Sequence, residues 1–128
     1  MPSQAQIKFR GSDTCAAIWT HATDDDAHRI TVCTDRVTLD RQHQSQTQTI
    51  AYATLDPQLA PGTWHHVEIT TPGFGLTVTL DGTPTLSKAT LTPQPPDGAV
   101  ILGAVPTRAG RRSSEAVTFT DVTVAATP

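Results

Sequence analysis

The chain has 128 residues, the length of one domain, with a net charge of −3 and a pI near 5.9. Charged residues make up 16%, against about 25% in an average soluble protein, and 23 threonines stand against two Glu and two Lys. That balance excludes a helical bundle, gives no basic footprint for nucleic acid, and holds no apolar run of about 18 residues that would span a membrane as a helix.

Short apolar runs separated by turn residues predict ten strands: Gln4–Arg10, Cys15–His21, His28–Thr34, Arg36–Arg41, Gln48–Leu55, Thr63–Thr71, Phe74–Leu80, Thr83–Ala89, Ala99–Ala104 and Ala116–Ala125. The turns between them have their own chemistry. Asp81-Gly82 suits a tight hairpin because both residues tolerate positive φ. Pro61-Gly62 and Pro72-Gly73 are turn dipeptides, and Pro93 to Gly98 is a loop that no central strand accommodates. Antiparallel pairing with apolar residues opposite apolar ones predicts the registers. Ile18 faces Ile30 and Ala16 faces Val32 on the second and third strands. Ile30 faces Leu39 and Val32 faces Val37 on the next pair. Leu39 is expected opposite Ile50 and Val37 opposite Tyr52, with Val67 opposite Val78 and Ile69 opposite Leu76.

The first of these registers places Cys15 opposite Cys33. Directly opposed Cβ atoms come within reach of a disulfide, so the two are either bonded or free thiols. Two cysteines alone do not make a zinc site. Met1-Pro2-Ser3-Gln4 leads into polar residues without the apolar stretch of a secretory signal. The expectation is a cytoplasmic protein or a domain excised from a secreted one. A single domain over residues 1–128 is expected.

Parity then sorts the side chains. With Ile18, Ile30, Val32, Val37 and Leu39 inward, Trp19, His21, Arg29, Thr31, Thr38 and Asp40 point the other way. With Val67 and Ile69 inward, so do Trp64, His66 and Glu68, leaving His65 on the core side. One face carrying Trp19, His21, Arg29, Asp40, Trp64 and His66 is the expected ligand site. Sugars bind to such faces through aromatic stacking and hydrogen bonds from Arg, Asp and His, although the same face also serves as an ordinary solvated surface. Trp19 beside Arg29 is a candidate cation–π pair. Asp24 and Asp26 in the acidic hairpin tip are candidate Ca²⁺ ligands, since Ca²⁺ takes oxygen donors; otherwise no cofactor is expected. His21, His28 and Asp26 are a candidate metal or acid–base group. Arg108, Arg111 and Arg112 form a basic loop suited to an anionic contact or to solvent.

The run Gly62-Thr63-Trp64-His65-His66-Val67-Glu68-Ile69, the Leu80-Asp81-Gly82 hairpin, Ala99-Val100-Ile101-Leu102-Gly103 and Phe119-Thr120-Asp121-Val122 resemble the closing half of a concanavalin A-like (laminin G-like) jelly-roll. Phe9-Arg10-Gly11-Ser12-Asp13 adds to the likeness, which is strongest to the C-terminal part of the 3-keto-disaccharide hydrolase (family 16 glycoside hydrolase-like) domain and covers roughly residues 7–125. The resemblance implies an all-β antiparallel β-sandwich of jelly-roll type and a carbohydrate ligand. Two glutamates, Glu68 and Glu115, cannot supply the clustered acidic signature of family 16 glucanases. The expected function is therefore a non-catalytic glycan- or glycoside-binding module. An enzyme acting on keto-glycosides and an assembly subunit are the alternatives. Strands that open such domains are missing before Gln4, which implies an open sheet edge for a homodimer or a partner subunit.

Overall fold

All ten predicted runs form strands in the computed structural model, which describes residues 3–9, 14–23, 25–70, 75–88, 99–106 and 117–123. They are β1 (Ser3–Phe9), β2 (Thr14–Ala22), β3 (Asp26–Val32), β4 (Arg36–His43), β5 (Gln46–Thr54), β6 (Trp64–Thr70), β7 (Leu76–Leu80), β8 (Thr83–Lys88), β9 (Ala99–Pro106) and β10 (Val117–Thr123). Two five-stranded antiparallel sheets result. The first has the order β10-β1-β6-β7-β8 and the second β5-β4-β3-β2-β9. This is the predicted all-β sandwich of jelly-roll type.

Alternation decides what lies between the sheets. Ile7, Phe9, Val67, Ile69, Leu76, Val78 and Leu80 of the first sheet meet Ile18, Ile30, Val32, Val37 and Leu39 of the second, all buried. Burying each such side chain contributes about 1.5–3 kcal/mol, which fixes the inward face of every strand. Ile18 pairs with Ile30, Val32 with Val37 and Ile30 with Leu39, as the apolar pattern predicts. Cys15 and Cys33 are joined in a disulfide.

Two registers differ from expectation. On β4 and β5, Leu39 faces Ala51 and Val37 faces Ala53, because an irregularity between Leu39 and Asp40 inserts a residue. Tyr52 therefore stands opposite Thr38 and is 71% exposed. On β6 and β7, Val67 faces Leu80 and Ile69 faces Val78, two residues from the predicted pairing. A slip of two keeps every side chain on its own face, so the hydrophobic pattern does not distinguish the two registers.

Asp81 and Gly82 both have positive φ, 49° and 82°, and close the predicted hairpin between β7 and β8. The Gly62 N–H donates to the Phe9 carbonyl at 2.7 Å, which anchors the Pro61-Gly62 turn on β1. β1 is not an edge, as it runs between β10 and β6; the edges are β10, β8, β5 and β9. Arg10–Asp13, Asp24, the Pro72-Gly73 turn, the Pro93–Gly98 loop and Arg108, Arg111 and Arg112 lie outside the described residues, as does the side chain of His21.

Candidate functional site

Strand parity carries Trp19 of β2, Arg29 and Thr31 of β3, Asp40 and Gln42 of β4, Thr47 and Thr49 of β5, and Ile101 of β9 to the outer face of the second sheet. Trp19 is the half-buried centre of this face. Its indole N–H donates to Gln42 Oε1 at 2.7 Å, and the Gln42 amide reaches Thr47 Oγ1 at 3.4 Å. A Cβ on Gly103 would lie 2.9 Å from Trp19 Cζ3, so the glycine is what lets the ring settle against β9. The ring walls a cavity of about 320 Å³, completed by Gln42, Ile101, Thr23, Asp25 and Asp26. That volume is at the lower end of the range for small-molecule sites.

Beside the ring, Asp40 is 3% exposed and fully engaged. Arg29 donates to its Oδ2 from Nη2 at 2.9 Å and from Nε at 3.3 Å, and the Thr49 hydroxyl donates to its Oδ1 at 2.6 Å. Asp40 therefore holds Arg29 in place, and its own oxygens are already occupied. Thr31 is buried on the same face, and among the described residues its hydroxyl has no hydrogen-bond partner.

The six residues predicted for one face are divided between two. Trp19, Arg29 and Asp40 share the second sheet, and His21 lies in β2 of that sheet. Trp64 and His66 belong to β6 in the first sheet, on the other side of the sandwich. Trp64 is 41% exposed, with Lys8 Nζ 4.7 Å from its ring centroid. His66 Nδ1 lies 3.3 Å from Gln6 Nε2, and its Nε2 lies 3.8 Å from Glu68 Oε2. Arg29 stands opposite Trp19 as predicted, but its guanidinium turns to Asp40 and not to the indole.

The acidic tip is engaged elsewhere. Asp26 Oδ1 contacts His43 Nδ1 and lies 3.6 Å from Arg41 Nη2. Asp26, one of the two candidate Ca²⁺ ligands, thus has its Oδ1 engaged by these two side chains, and Asp24 lies outside the described residues. Among the described residues, no three His, Cys, Asp or Glu side chains are grouped to hold a metal ion. His28 is buried on the inward parity of β3, so it does not share the outer face. His65 is buried as predicted, with Nδ1 2.9 Å from Asp81 Oδ2 and Nε2 2.9 Å from the Ala60 carbonyl.

Sequence reasoning missed Gln42, Gly103 and Thr49. Gln42 follows Asp40 by two and so shares its face. A glycine inside a strand signals close approach of a neighbour. Thr49 stands opposite Asp40 in the predicted register as well, and the irregularity shifts only the pairs from Arg36 to Leu39.

The laminin G domain profile matches residues 9–120. The chain belongs to the laminin G domain family. Solved structures with the same arrangement of strands as this laminin G domain include the carbohydrate binding module CBM66 from Bacillus subtilis. It has a TM-score of 0.67 and 12% identity over 94% of this chain and 71% of that one. Sheep galectin-11 in complex with glycerol gives 0.68 and 11% over 93% and 88%. A native glycosidic hydrolase gives 0.57 and 12% over 82% of this chain and 51% of that one. At such identities the likeness is one of fold. A search of curated proteins gives no match.

Proposed function

We propose that this laminin G domain is a non-catalytic glycan-binding module and that its site is the outer face of the second sheet around Trp19. The observation that carries the reading is the indole held by Gln42 and seated on Gly103 at the wall of a cavity of about 320 Å³. A ring fixed in this way stacks on the C–H face of a sugar without first losing rotamer freedom. Gln42 and Thr23 line the cavity as hydrogen-bonding groups for hydroxyls. Asp25 and Asp26 border the cavity, and Arg29 is already paired, so a neutral glycan suits the site better than an acidic one. That a carbohydrate binding module and a galectin share the fold supports a carbohydrate ligand. Commitment of Asp40 to Arg29 and Thr49, and the position of Glu68 on the other sheet, support a binding role over a catalytic one. A glycan array probed with the soluble protein is the test. Binding of neutral oligosaccharides above sulfated or sialylated ones is expected. No binding to any glycan, or turnover of a keto-glycoside by the protein, would overturn the proposal.

A further inference from the structure

We infer that β5 is an interface for a second copy of this chain, which would continue the second sheet across a two-fold axis. An edge strand displays unpaired N–H and C=O groups, and folded proteins guard such edges with charge, proline, bulges or brevity. The β8 edge of the first sheet carries such guards. β8 contains Pro84 and Lys88 over six residues. β5 has neither charge nor proline: Gln46, Thr47, Gln48, Thr49, Ile50, Ala51, Tyr52, Ala53 and Thr54 run for nine residues, interrupted only by the irregularity opposite Leu39 and Asp40. Its first four residues are exposed, Tyr52 is 71% exposed, and among the described strands β4 is its only partner within the sheet. The following loop turns away from this edge, as Leu55 N–H donates to the Asp35 carbonyl and Leu59 N–H to the Thr34 carbonyl.

The pattern of β5 also suits pairing with itself. The irregularity at Leu39 and Asp40 puts Thr47, Thr49, Tyr52 and Thr54 on the outer face, with Gln48, Ala51 and Ala53 inward. A two-fold axis between Ile50 and Ala51 then sets Thr49 beside Tyr52, Thr47 beside Thr54 and Gln48 beside Ala53. Every such pair lies on one face, as antiparallel pairing requires, and the aromatic–β-branched pair is a favourable one. No like charges meet. An unrelated extended peptide would also find backbone groups here, whereas a copy of β5 supplies the Thr49–Tyr52 pair twice, once on each side of the axis.

The two-fold axis stands perpendicular to the sheet, so both Trp19-bearing faces point the same way on one ten-stranded sheet. Seven strand spacings of about 4.8 Å separate the two β2 strands, or roughly 30–35 Å. Two sites at that distance on one side suit a repetitive glycan surface.

The experiment is hydrogen–deuterium exchange of the wild-type protein at micromolar and near-millimolar concentration, with light scattering on the same samples. A dimer whose residues 46–54 gain protection with concentration, while residues 83–88 do not, is expected. The double variant Gln48→Lys/Tyr52→Lys places four lysines at the interface and is expected to stay monomeric with an unchanged melting temperature. A Thr83→Lys control on β8 is expected to dimerise like wild type. A monomer at every concentration, or a dimer without protection of β5, overturns the inference. So does protection of β5 that appears only when an extended peptide is added. Neither readout requires a glycan, so failure here is distinct from failure of the binding proposal.

Discussion

Replacing Gly103 with alanine tests how the proposed stacking ring is held. The added Cβ would lie 2.9 Å from Trp19 Cζ3 and 3.4 Å from Cη2. Carbon atoms in contact prefer about 3.5–4.0 Å, so the ring must retreat by roughly 0.6–1 Å. In a closed core such overpacking costs about 1–3 kcal/mol. Here one side of the ring faces the cavity, so it retreats outward and loses its 2.7 Å bond to Gln42, a net effect of about 0.5–1.5 kcal/mol. Alanine also restricts the unfolded chain relative to glycine, which returns about 0.4–1 kcal/mol. Stability should thus change by no more than about 1 kcal/mol, or about 4 °C in Tm for a chain of this size. Ligand affinity should fall about tenfold, equivalent to about 1.4 kcal/mol, because the ring no longer sits where the sugar meets it. Calorimetric melting and isothermal titration with a glycan taken from the array give the two quantities. Unchanged affinity would refute the role given to the ring. A fall in Tm of roughly 8–12 °C would show a closed packing position and not an open one.

Other predictions follow from the same contacts. Asp40→Leu leaves Arg29 without its carboxylate and should cost about 3 kcal/mol by chemical denaturation, whereas Arg29→Met/Asp40→Leu together should recover most of that loss. A double variant as unstable as the single one would contradict this. Reducing the Cys15–Cys33 bridge, with its sequence separation of 18, should lower stability by about 3 kcal/mol and Tm by roughly 10 °C, read by melting with and without a thiol reductant. Asp81→Ala loses the contact to His65, the acceptor for the His66 N–H at 2.8 Å and the tolerance for positive φ. A loss of about 1–3 kcal/mol is expected by denaturant titration, with Asp81→Asn closer to wild type.

The sequence makes some of this architecture legible because two physical signals agree. Between β2, β3 and β4, strict alternation and close spacing along the chain allow one register, and Ile18–Ile30 and Val32–Val37 follow from it. The irregularity at Leu39 and Asp40 leaves no mark in the alternation, so Tyr52 was expected one position away from where it pairs. The two-residue shift of β6 on β7 preserves every face, so burial gives no preference for either register. The largest difference concerns the site. Parity states which side of a strand a residue occupies, and it says nothing about which sheet the strand joins. Trp19 and Trp64 both face away from the core, yet the sandwich sets them on opposite outer surfaces. Gln42 and Gly103 gained meaning only once the indole lay between them.

That separation of the two tryptophans gives the most direct test of the binding site. Trp19→Ala and Trp64→Ala are titrated calorimetrically with the glycan that the wild-type protein selects, after melting curves establish that both fold. Loss of an aromatic stacking surface should weaken binding by at least about tenfold for Trp19→Ala and leave Trp64→Ala within about twofold of wild type. Binding retained by Trp19→Ala, or lost with Trp64→Ala, would contradict a site on the outer face of the second sheet.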